Sequence, residues 1–149
     1  MELHIEGATK LQAGKEALFG ELTDPRRLVE LIPGKEEAKV VGDSKAEARV
    51  AVALPGASGS VEVELSVEEA EPPNGARVVT QGRGLDSSLK VTAGFELLGD
   101  SPTWIHWTAD AEVEGKIEAL EEARLRDMAR SKAEELLARV ARAAEEPAG

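Results

Sequence analysis

The sequence closes on an amphipathic helix of unusual length, and that helix limits what the rest of the chain can build. From Lys116 to about Ala144 no Gly or Pro interrupts the pattern. Ile117, Leu120, Leu125, Met128, Leu136, Leu137 and Val140 recur at helical spacing, Ala129 and Ala133 fill the same stripe, and Glu, Arg and Lys occupy the other faces. At 1.5 Å per residue such a helix is roughly 40 Å long. A stripe of that length needs an equally long apolar surface to cover, and the segments before it supply one.

Those segments alternate. Met1 to Leu11 reads as a strand with Leu3 and Ile5 on one face and Glu2, His4 and Glu6 on the other. Gly14 to Leu22 is helical in character. Thr23-Asp24-Pro25 then starts a second short helix carrying Leu28, Val29, Leu31 and Ile32, which Pro33-Gly34 stops. Further strands are predicted near Ala38–Val41, Ala46–Leu54, Val61–Glu69, Ala76–Arg83, Leu89–Leu98 and Thr103–Val113. Turn residues separate them, among them Gly42-Asp43, Pro55-Gly56, Pro72-Pro73-Asn74-Gly75 and Gly99-Asp100. Val61, Val63, Leu65 and Val67 oppose Glu62, Glu64, Ser66 and Glu68; Val91, Ala93, Phe95 and Leu97 oppose Lys90, Thr92, Gly94 and Glu96. One-sided strands of this kind suit an antiparallel sheet with one wet face, and the terminal helix is the natural cover for the other.

Composition narrows the function. A formal charge of −11 repels nucleic-acid phosphates and anionic lipid, so nucleic acid is not an expected partner. The absence of cysteine removes disulfides, thiolate catalysis and cysteine-held metal clusters. The first residues lack a basic start and an apolar run, and no stretch is long enough to span a membrane, so a cytoplasmic protein without an integral membrane segment is expected. A single domain over residues 1–149, with 145–149 as a frayed tail, fits this length.

The order of elements and several local motifs resemble the family of carbon monoxide dehydrogenase G-subunit-like (CoxG-like) proteins, in the START/Bet v 1-like (SRPBCC) superfamily. The matching residues are Thr23-Asp24-Pro25 with Leu28, Ile32-Pro33-Gly34, Gly82-Arg83-Gly84, Thr103 with Trp107-Thr108-Ala109-Asp110, and Val113-Glu114-Gly115-Lys116. The resemblance implies an α+β helix-grip fold: a curved seven-stranded antiparallel sheet, two short helices and a long C-terminal helix. It also implies a pocket for a hydrophobic small molecule (lipid, quinone-like or isoprenoid). A redox-enzyme partner of the molybdenum-containing carbon monoxide dehydrogenase type follows from the same likeness, with peripheral membrane contact left open.

The candidate site is the face that alternation turns inward. Val50, Val52, Val63, Leu65, Val91, Phe95 and Trp107 would line it from the strands, and Leu125, Met128 and Ala129 from the helix. Phe19, Leu28, Leu31 and Ile32 would form a mouth near the short helices. The chain has only two Phe, two Trp and no Tyr, so an interior filled by Val, Leu and Ala is either closely packed or leaves space. Polar specificity would come from Thr92, Gln81 or Arg83 at the rim. His4 and His106 fall on the outer face of the first and last strands, but no metal-binding motif accompanies them. No nucleophile–base pair stands out, and neither cofactor, metal nor catalytic residue is expected. A non-enzymatic binding protein is the reading that follows, with an assembly module for a redox enzyme, or a cyclase, hydrolase or dehydratase using the pocket, as the alternatives.

Overall fold

The computed structural model describes residues 1–54 and 57–145. The expected Pro55-Gly56 turn and residues 146–149 of the expected tail lie outside them, whereas Glu145 still belongs to the last helix. In chain order the elements are β1 (Glu2–Leu11), α1 (Lys15–Thr23), α2 (Pro25–Leu31), β2 (Lys35–Val40), β3 (Lys45–Leu54), β4 (Ala57–Glu71), β5 (Gly75–Gly84), β6 (Ser87–Gly99), β7 (Thr103–Gly115) and α3 (Glu122–Glu145). The seven strands form one antiparallel sheet in the order β1-β7-β6-β5-β4-β3-β2. Each strand after the two short helices pairs with the next, and β7 returns to pair with β1. This is the helix-grip arrangement that the family resemblance implies.

Register sorts every strand into two faces. Leu3, Ala111, Val91, Thr80, Leu65 and Ala46 form one continuous row across the sheet from β1 to β3. Three residues along each strand the chemistry changes completely. Glu37, Arg49, Glu62 and Arg83 sit side by side on the opposite face, from β2 to β5, alternating in sign. Cross-strand pairs of this kind each contribute roughly 0.2–1 kcal/mol, and one is closed here, with Arg49 Nη2 2.8 Å from Glu37 Oε1.

The short helices pack onto the inner face at one end. Pro25 takes the first position of α2, and the Asp24 carboxylate accepts the Arg26 amide at 3.0 Å, which caps the helix start. Leu18, Leu22, Leu28 and Val29 are buried there. The Thr103 hydroxyl, fully buried at the start of β7, donates to the Ala13 carbonyl at 2.8 Å and ties β7 to the entry of α1.

The terminal helix starts later than its periodicity predicts. Gly115 has φ 101°, and a side chain there would collide with the Asp86 carbonyl, so the chain turns sharply after β7. Lys116–Ala119 form a single 3₁₀ turn, Leu120 is extended, and α3 begins only at Glu122. Ile117 and Leu120 owe their spacing to a different burial: they pack with Leu3, Val113 and Leu125 at the end of the sheet. The Met1 ammonium group donates to the Val113 carbonyl at 2.9 Å and to Glu118 at 2.7 Å, holding this turn against the sheet. Among the described residues, no helix is long and apolar enough to cross a membrane.

Candidate functional site

The inner face of the sheet is not uniformly covered. Its apolar side chains form two clusters. The larger joins Leu18, Leu28, Val29, Val50, Leu65, Leu97, Ile105, Trp107, Leu137 and Val140, with Phe19, Leu31, Ile32, Val52, Val63 and Phe95 packed against it. The smaller holds Leu3, Val113 and Leu125. Ten of the fourteen side chains expected to line the site therefore meet in one cluster, and Leu125 belongs to the other. The remaining three, Val91, Met128 and Ala129, belong to neither.

Their position gives the site its shape. Ala129 lies one turn beyond Leu125 and one turn before Ala133, on the stripe of α3 that faces the sheet. Leu125, Leu137 and Val140 on that stripe are buried, with Val140 fully so, yet Ala129 is exposed and Met128 only half-buried. The strand residues around the same gap, Val61, Thr80, Val91 and Ala93, are likewise only half-buried. The stripe is thus covered near both ends of the helix and left partly open to solvent in between. Side bonds hold the helix there. The Arg130 guanidinium donates to the Glu6 carbonyl of β1 at 2.9 Å, and Arg139 donates to the Leu31 carbonyl at the end of α2 at 3.5 Å.

Small side chains line much of the inner face. Ala46, Ala48, Gly82, Ala93, Ala109 and Ala111 all occupy inward positions of the central strands. Trp107 bounds it on the β1 side. Its ring lies flat over Gly7, where a Cβ would sit 2.7 Å from the ring carbon Cζ2, so only glycine fits opposite it. The indole N–H is buried there without a hydrogen-bond partner among the described residues.

The inward positions of β5 were missed by sequence reasoning. Register turns Ala76, Val78, Thr80 and Gly82 inward, whereas Arg77, Val79, Gln81 and Arg83 face out. Adjacent Val78 and Val79 blur the alternation, and the flanking charges of Arg77 and Arg83 were the signal that could have settled it. The rim role expected for Thr92, Gln81 and Arg83 is corrected by the same register, since all three lie on the outer face. Gln81 and Arg83 instead border an open trough of about 690 Å³ on that face, among Glu37, Arg49, Glu62, Lys90 and Glu112. The twist of the sheet makes this second concavity, and its walls are charged and wet.

The histidines do not meet. His4 stands opposite Asp110, and His106 opposite Ala8 and Glu96. His4 Nδ1 lies 2.6 Å from Asp110 Oδ1, and this bond, with a weaker one to Glu6, raises the imidazole pKa above its ordinary value. The Met1 amine is raised by its bond to Glu118, whose carboxyl is lowered in return. All three displaced groups lie at the outer face or the strand edge, away from the gap. Trp104, on the outer face of β7, is exposed beside its cross-strand neighbour Leu98. Among the described residues no cluster of His, Asp and Glu is arranged to hold a metal ion.

Comparison with known proteins places this architecture. Similar solved structures include a conserved protein from Geobacillus kaustophilus, 22% identical with TM-score 0.87, covering 95% of each chain. A START superfamily protein from Mycobacterium smegmatis is 15% identical with TM-score 0.71, over 95% of this chain and 97% of the other. An aromatase/cyclase, Zhui, from Streptomyces sp. R1128 is 14% identical with TM-score 0.65, over 97% of this chain and 94% of the other. At these identities the likeness is one of fold. No curated protein matches significantly. The model of the family described as the carbon monoxide dehydrogenase G subunit (CoxG) matches residues 7–145, nearly the whole chain. The chain belongs to the CoxG family and carries it on a START/Bet v 1-like fold.

Proposed function

We propose that the protein binds a hydrophobic small molecule in the gap between the middle of α3 and the inner face of β4 to β7, and carries it without transforming it. One observation supports the reading above the others: Ala129 lies on the sheet-facing stripe of α3 and is nevertheless exposed, between ends that are buried. An apolar surface left open inside a grip of this kind gains roughly 25 cal/mol for each Å² that a ligand covers, before the cost of association. The inward positions of β3, β5, β6 and β7, and of β4 from Val61 to Val67, present no acid or base to the gap. Proton-transfer chemistry there would lack a donor, which favours holding over turnover.

Nile red, a neutral apolar dye, tests the reading. The protein should bind it with a rise in fluorescence, and Ala93→Leu, which pushes a larger side chain into the gap, should weaken binding at least tenfold without lowering the melting temperature. Failure of the unaltered protein to bind, or unchanged affinity in a folded Ala93→Leu variant, would contradict it.

Family membership favours a second role that is compatible with the first. The family's description as a dehydrogenase component supports a reading in which the chain assists a carbon monoxide dehydrogenase-type enzyme, with the exposed charges of α3 as the contacting face. Capture of such an enzyme from the native cell by the tagged protein would support this, and reversal of Arg124 and Arg142 to Glu should reduce it. Capture of no redox enzyme, under conditions that preserve the host's own enzyme complexes, would count against it.

A further inference from the structure

The inner face carries few polar side chains, and nearly all of them are already engaged or set to one side. Thr103 donates to Ala13. Ser87 donates to the Leu85 carbonyl and accepts from the Ile117 amide at the end of the sheet. The Trp107 N–H is shut in over Gly7. Thr9 lies towards the end of the edge strand β1, opposite Ile105. Thr80 differs from all of these. It sits near the centre of β5, between Leu65 of β4 and Val91 of β6, in the row that ends at Leu3. It is half-buried and forms no side-chain hydrogen bond among the described residues.

We infer that Thr80 is the polar anchor of the gap, and that the ligand class is an uncharged, long apolar molecule bearing one hydrogen-bonding oxygen, such as a ketone. This rests on the binding reading above and adds a selectivity to it. Charge argues the first half. A carboxylate or phosphate drawn down to the level of Thr80 would meet only Val, Ala, Leu and Gly from the neighbouring inward positions, with no cation to offset its desolvation. The half-buried cations on that part of α3 are already engaged: Arg126 lies 3.6 Å from Glu122, and Arg130 donates to the Glu6 carbonyl at 2.9 Å. Hydrogen bonding argues the second half. A carbonyl oxygen entering the gap must give up water, and the Thr80 hydroxyl is the donor placed to replace it. The apolar remainder of the molecule would then run along Val91 and Ala93 beneath Met128 and Ala129.

Chain-matched competitors of Nile red read this out: methyl nonyl ketone, undecanoate at neutral pH, and undecane. The ketone should compete at least tenfold better than undecanoate. Thr80→Val keeps the branched shape that a strand favours and removes only the hydroxyl. It should weaken the ketone about five- to tenfold while leaving undecane unchanged, and Thr80→Ser should restore ketone binding. Equal competition by ketone and undecanoate, or a folded Thr80→Val variant that binds the ketone as before, would overturn the inference while Nile red binding left the carrier reading standing. Absence of Nile red binding would remove both.

Discussion

The two ends of α3 and its middle share one composition and behave differently. At the C-terminal half, Leu137 and Val140 pack into a cluster built from both short helices and most of the sheet. At the N-terminal end, Leu125 packs into a second, smaller cluster with Leu3 and Val113. Between them Met128 and Ala129, on or beside the same stripe, retain exposure. A helix that only needed to be stable would close this gap with larger side chains. The difference teaches that the ends hold the helix to the fold and the middle is left uncovered, where the proposed ligand would sit.

Truncations along the stripe break or sharpen that contrast most strongly. Leu137→Ala should cost about 2–5 kcal/mol, since the surrounding cluster cannot collapse fully onto the cavity left behind. Leu125→Ala should fall towards the lower end of that range, because its cluster is smaller. Met128→Ala should cost less than about 1 kcal/mol, for a side chain that the native state leaves half in water. Urea unfolding of the three variants checks the order. A Met128→Ala loss equal to that of Leu137→Ala would mean that the middle of the helix is packed after all.

A smaller effect concerns how the N-terminal anchor responds to pH. The Met1 amine is raised by Glu118, so its contribution is complete below its unfolded pKa and fades as pH rises through the raised value. Glu118 is lowered, so its contribution is complete above the ordinary carboxylate range and fades as pH falls through the lowered value. The pair therefore holds the turn before α3 between those limits. His4 is raised chiefly by Asp110 and then by Glu6, and its contribution is complete below the ordinary imidazole pKa and lost as pH climbs through the raised one. Proton NMR titration should show the His4 ring titrating late and Asp110→Asn moving it back towards the ordinary value. A His4 pKa at or below that value in the unaltered protein would contradict the contact.

Most of the fold is legible in the sequence because period-two alternation is strong wherever one face is wet. Val61 to Val67 and Val91 to Leu97 assign their strands and faces without ambiguity. The start of α3 is not legible, because Ile117 and Leu120 fall at helical spacing while being buried by the end of the sheet. The faces of β5 are obscured by Val78-Val79. The outer trough is invisible in any pattern, since it comes from the twist of the sheet and not from which residues are apolar. The gap itself is half legible. Its small side chains are plain in the sequence, but alanine at Ala129 is equally consistent with close packing and with open space, and only the path of the helix over the sheet decides between them.

Methyl NMR during titration with methyl nonyl ketone tests the central claim most directly. The account predicts that the largest shifts fall on Met128, Ala129, Val91 and Ala93, while Leu137 and Val140 at the packed end and Val79 on the outer face stay nearly still. Shifts centred on the outer face, or no saturable shift at any methyl group, would contradict a binding site under the middle of the helix.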